Sequence, residues 1–150
     1  MSRWQRYWFA DGGRTSLAIV RIAVAIAVLM VLHLLATLST VEIPGPPELY
    51  RPVGIWMVFG RWVPPDAVFT LLWAVAWTST AMMLFGLATR TATAASCVTT
   101  VALAAASYAS SAGWSHPFNV VLLAQLALLG ARAGDTLSLD EVIRIHRRLP

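Results

Sequence analysis

The sequence predicts an all-α fold, an integral membrane four-helix bundle with short interfacial helices at both ends, forming one transmembrane domain over residues 1–150. Three observations predict it. Charged residues make up 12% of the chain and hydrophobic residues 58%, whereas a soluble domain carries about 25% charge and uses it to coat its surface. The apolar residues gather into blocks long enough to cross a bilayer, at about 17–38, 67–87, 92–111 and 117–132. The 11 basic residues are all arginines, and all but Arg21 flank or end these blocks, which is the pattern of a membrane surface and not of a nucleic-acid-binding stripe.

Residues 1–14 place Trp4, Tyr7 and Trp8 on one helical face and Arg3 and Arg6 towards the other, the make-up of a helix lying at headgroup level. Gly12 and Gly13 break it. The first span at 17–38 reaches about 33 Å, enough for a hydrocarbon core of about 30 Å. A cleaved signal peptide is the rival reading. The run is longer than the usual apolar core of such peptides, and no Ala-x-Ala site follows. Pro44, Pro46 and Pro47 forbid a regular helix in the long loop that comes next. The apolar, aromatic stretch at 53–65 is expected in the interface or tucked against the bundle.

Pro64 and Pro65 open the second span, and a tight turn at 88–91 leads into the third. There Ala92, Ser96, Thr100 and Ala104 recur every four residues, and small residues on one face let helix backbones approach closely in lipid. The fourth span is the shortest, with its apolar core at 118–131. Charge decides whether it crosses. With four spans, Arg3, Arg6, Arg14, Arg90, Arg132, Arg144, Arg147 and Arg148 lie on the cytoplasmic side, and only Arg51 and Arg61 lie outside. With three spans the split is four inside and six outside. The positive-inside rule selects four spans with both termini cytoplasmic, in the cell membrane. In the tail, Ser138 and Glu141 have the spacing of a capping box. The helix it starts has Val142, Ile145 and Leu149 on one side and Arg144, Arg147 and Arg148 mostly off it, which suits the inner leaflet surface. Asp140 falls in its first turn, where negative charge suits the helix dipole.

Three stretches carry a family resemblance: LAIVRI at 17–22, LFGLATRTA at 84–92 and HPFNVVLLAQLALLGARAGDTLSLD at 116–140. Together they resemble the horizontally transferred transmembrane domain of vitamin K-dependent carboxylase-like proteins. They also resemble the shorter DoxX-like four-helix membrane family, whose length fits better. The carboxylase resemblance implies a lysine acting as base, and this chain has no lysine. The DoxX-like resemblance implies a quinone-linked or redox-accessory role beside a membrane partner subunit.

Ionisable groups inside a membrane are functional candidates by default, and the clear spans hold two. Arg21 sits about 6 Å inside the first helix, either snorkelling to headgroup phosphate or facing inward as an anchor for an anionic headgroup or an acid such as Asp135. His33 lies about 24 Å along the same helix. His116 opens the fourth span at the same depth, with Asn119 on nearly the same face and Trp114 adjacent. Two readings stay open: interfacial histidines that never meet, or a pocket of His33, His116, Asn119 and Trp114 for a quinone or lipid headgroup. Two histidines without a carboxylate or cysteine make a poor metal set. The lone Cys97 excludes an intrachain disulfide and a dithiol site. His146 reads as surface. Thr78, Ser79, Thr80 and Gln125 are expected to bond between helices.

No catalytic set emerges. The leading class is a non-catalytic scaffold or accessory subunit. A quinone- or lipid-binding accessory of a redox system is the alternative, and a small transporter ranks last, since no broken midspan helix is visible. The arginine split makes a direct prediction on a Cys97→Ala background. Cysteines placed at Ser2 and Leu149 stay unlabelled by an impermeant reagent in intact cells and react after permeabilisation; labelling in intact cells contradicts the topology.

Overall fold

The structure is a computed structural model that describes residues 14–38, 48, 50–60, 62–111, 117–131, 133, 134 and 136–147. The expected N-terminal interfacial helix, the loop prolines Pro44, Pro46 and Pro47, and Trp114, His116 and Asp135 lie outside the described residues. Those described form helices and turns, with no strand among them: α1 (Arg14–Leu38), a 3₁₀ helix (Gly54–Phe59), α2 (Asp66–Phe85), α3 (Thr89–Ser111), α4 (Pro117–Gly130) and α5 (Leu139–His146). By length and composition α1, α2 and α3 can each cross a membrane. The helix α4 is apolar but has only 14 residues, about 21 Å of rise.

The central element is α3. Some 78% of its apolar window is buried, against 33% for α1 and 28% for α2. It packs against α1, α2, α4 and the 3₁₀ helix. Its side chains explain this: Ala92, Ser96, Thr100 and Ala104 are all buried, as the four-residue repeat predicts, and small side chains let several neighbours approach at once. Much of α1 and α2 stays exposed, with Ile19, Met30 and Leu71 facing outward, as lipid-facing surfaces do.

Polar groups tie α3 to its neighbours. Thr80 of α2 donates to its own helix at Ala76 O, 2.6 Å away, and its oxygen lies 2.8 Å from Ser96 Oγ. Since Thr80 has spent its one proton, Ser96 is the donor between them. Ser96 then has only lone pairs left, and Gln125 Nε2 of α4 donates to it at 2.8 Å. The proton count thus fixes which end of the Gln125 amide faces Ser96. Only Thr80 and Gln125 among the expected residues bond between helices. The hydroxyls of Thr78 and Ser79 turn back onto carbonyls of α2.

At one end of the bundle the 3₁₀ helix closes over the alanines of α3. Trp56 is buried and donates its indole N–H to Ala102 O at 2.8 Å. Its ring packs 6.0 Å from Phe69 of α2. The Arg51 amide donates to Ala109 O at 2.9 Å. Of the two placements expected for this stretch, Trp56 takes the one against the bundle, where the alanine face supplies the room for the indole, while Met57, Val58, Phe59 and Trp62 stay exposed. At the opposite end α2 stops on Gly86, which has φ 69° and ψ 41°. The Leu87 amide bonds Met82 O and the Gly86 amide bonds Met83 O, the paired bonds of a Schellman termination.

Thr100 is 2% exposed at this packed centre. Thr100→Leu overfills it and lowers stability in detergent by about 1–3 kcal/mol, read as a reduced melting temperature. An unchanged melting temperature would mean that the face is loosely packed.

Candidate functional site

The chemistry-bearing side chains gather where the α2–α3 turn meets the tail. Arg21 is fully buried in α1. It faces the interior and does not snorkel. Its Nη1 donates to Ala133 O and its Nη2 to Leu137 O, each at 2.6 Å. Among the described residues its hydrogen-bond partners are these carbonyls of the segment that follows α4, and the field of Asp140 reaches the guanidinium. Leu137 adopts φ +48°, a left-handed conformation that costs a non-glycine residue about 1–2 kcal/mol. In that conformation its carbonyl accepts from Arg21.

Asp140 is the second anchor, and it does more than suit the dipole of its own helix. It lies in the first turn of α5, yet its carboxylate accepts from the amides of Ala88 and Thr89 and from the Thr89 hydroxyl, at 2.8–2.9 Å. It therefore caps α3, where the helix dipole is positive and unpaired amides need acceptors. This cap explains why α3 begins at Thr89, three residues before the expected start at 92. Burial by itself would raise the Asp140 pKa. The Thr89 and Ala88 hydrogen bonds and the charge of Arg144 outweigh it and hold the carboxyl below its ordinary value. The Asp140 amide also donates to Gly86 O at 3.0 Å. Ser138 caps α5 as its spacing predicts, accepting from the Glu141 amide at 3.1 Å and donating to Gly134 O at 2.6 Å. A Cβ on Gly86 would overlap Ser138, and one on Gly134 would stand 2.7 Å from the Thr89 hydroxyl. Both glycines are there for close approach.

A polar cavity of about 390 Å³ opens beside this junction, lined by residues of α3, α4 and α5 that include Arg90, Asp140 and Arg144. A second, apolar groove of about 340 Å³ runs between α1 and α2 and is lined by Ile26, Met30, His33 and Trp77 among others. His33 is exposed there. Asn119, part-buried on α4, is not among the groove's lining residues. Sequence reading named His33 and Arg21 but missed both the Trp77 neighbour and the cavity. The signal for the cavity was present in Arg90 and Arg144, which were counted only as topology charges. Among the described residues no group of three or more histidines, cysteines or acids is placed to hold a metal ion. Compared with known proteins, the chain matches no family model, no curated protein and no solved structure.

Two predictions follow from the anchors. Arg21→Met leaves the Ala133 and Leu137 carbonyls without their donor and lowers stability by about 2–4 kcal/mol. Arg21→Lys, which lacks the planar fork, falls between this variant and wild type in a detergent melt. Asp140 has a folded pKa below its unfolded value of about 3.9, so its stabilisation is complete above that pH and is lost as pH falls through the folded value. The melting-temperature gap between wild type and Asp140→Asn narrows below about pH 4; a gap independent of pH would contradict the capping role.

Proposed function

We propose that the chain is a non-catalytic, four-span scaffold or accessory subunit of the cytoplasmic membrane, with both termini in the cytoplasm. The observation that supports this reading is how the buried polar groups are used. The Arg21 guanidinium, Asp140, Thr80, Ser96 and the Gln125 amide nitrogen all hold one element against another. Groups committed in this way organise a surface and do not turn over a substrate. The orientation is supported by Arg90, Arg144 and Arg147, which sit at the Arg21 end of the bundle, with Arg51 at the other.

A quinone- or lipid-binding accessory role is the second reading. It is favoured by the exposed His33 beside Trp77 in an apolar groove, and it accords with the resemblance to the DoxX-like family. One experiment separates the two. The full chain is purified in mild detergent, and its copurifying polypeptides and its binding of a short-chain quinone are measured, for wild type and His33→Ala. The scaffold reading expects a membrane partner at fixed stoichiometry with both proteins and no His33-dependent quinone binding. A chain that purifies alone and binds quinone only when His33 is present overturns it in favour of the second reading.

A further inference from the structure

The groove between α1 and α2 has a depth and a direction. Ile26 is the central residue of the apolar span Thr15–Thr37, so it marks the middle of a bilayer that this span crosses. Trp77, on the other wall, is within two residues of the centre of α2 (Asp66–Phe85). From Ile26 the lining continues through Leu29, Met30 and His33 to Leu34, a rise of about 12 Å away from the Arg21 end. One leaflet of a hydrocarbon core is about 15 Å deep. The groove therefore follows the bilayer normal through most of one leaflet. It opens sideways, since Ile26, Met30, Leu34 and Trp77 all stay exposed. Its outer end holds a polar side chain, His33, which is also exposed. Thr37 donates to the His33 backbone carbonyl at 2.8 Å, and among the described residues the imidazole has no hydrogen-bond partner. A polar side chain at hydrocarbon depth is costly without one. The groove thus suits an occupant that is apolar along its length and carries a hydrogen-bond acceptor at the His33 end.

We propose that the groove holds one acyl chain of a glycerolipid from that leaflet, with the His33 imidazole N–H donating to the ester carbonyl at the head of the chain. Acyl chains lie along the bilayer normal, as the groove does, and the ester is the first acceptor met on leaving the chain region. His33 is about 10 Å from the midplane by helical rise, and its side chain covers part of the remaining distance to the ester layer. The indole of Trp77 and the side chains of Ile26, Leu29 and Met30 supply the apolar walls. A volume of about 340 Å³ lies at the small end of the usual range for ligand sites, about 300–1,000 Å³, which fits one chain and leaves the second chain and the headgroup outside. The inference deepens the lipid branch of the second reading and rests on the groove that reading uses. A scaffold can hold such a lipid and remain a scaffold.

The full chain in mild detergent is titrated with dimyristoyl phosphatidylcholine and with its ether-linked analogue, which lacks the ester carbonyls, and bound lipid is counted by native mass spectrometry. Wild type binds the ester lipid saturably and the ether lipid about three- to tenfold more weakly, the loss of one hydrogen bond. His33→Ala binds both lipids at the weaker level. Met30→Trp fills the groove and weakens both alike; Ile26→Trp does the same and decides the matter if the first variant does not fold. The proposal is overturned by equal wild-type affinity for the two lipids, by an ester preference that survives in His33→Ala, or by lipid binding unchanged in both groove-filling variants. It is also overturned if Met30→Trp releases a copurifying polypeptide, which would put a partner helix in the groove. A short-chain quinone added to the wild-type complex separates this inference from the quinone branch. Quinone that leaves the ester lipid bound supports the lipid as occupant while that branch fails. Quinone that binds in a His33-dependent way to a chain with no ester preference overturns the lipid while that branch stands.

Discussion

A guanidinium buried among apolar helices needs acceptors, and Arg21 finds them in the backbone carbonyls of Ala133 and Leu137. These are 112 and 116 residues away along the chain, so one side chain closes the first helix onto the segment after the last long one. A charge in such a place is expensive unless it is hydrogen-bonded. The surrounding backbone is shaped to meet that need. Leu137 takes a left-handed conformation, and Gly86 leaves no Cβ where Arg21 Nη1 passes, 2.9 Å from the position a Cβ would occupy.

Asp140 makes the junction reciprocal. Arg21 reaches from α1 to the tail, and Asp140 reaches from the tail to the start of α3. The turn between α2 and α3 is thereby held from outside as well as by its own Schellman bonds. Ala88 sits in that turn at φ +46°, a conformation that persists when its surroundings over-determine it. The carboxylate bonded to the Ala88 amide is one such constraint. The tail helix α5 is consequently not a loose appendage. It is placed beside a turn of the bundle, and it leaves Val142, Ile143 and Ile145 exposed.

Away from the junction, the bundle is organised by how little α3 carries on its surface. Alanine, serine and threonine bring α2, α4 and the 3₁₀ helix close, and the Thr80–Ser96–Gln125 chain of hydrogen bonds links three helices. Lipid offers no hydrophobic drive for helices to associate, so close packing and hydrogen bonds take over that role. Trp56 extends the same logic, because its indole fits where α3 presents only alanine and its N–H finds Ala102 O.

The all-helical, membrane-like character of the chain was legible in its sequence, because blocks of apolar residues flanked by arginine have few other physical solutions. The α3 stripe and the Ser138 cap were equally legible, since each depends on neighbours within one or two helical turns. The roles of Arg21 and Asp140 were not. A sequence shows that a charge lies inside an apolar run but not which distant carbonyl or amide it meets: among the described residues Arg21 meets two backbone carbonyls, and Asp140 caps a helix other than its own. Nor did sequence place Arg90 and Arg144 on one cavity, or Trp77 beside His33. Local periodicity and capping determine the elements; the partners of buried charges and the walls of cavities are settled only when segments a hundred residues apart pack together, because burial leaves those groups no water to bond instead.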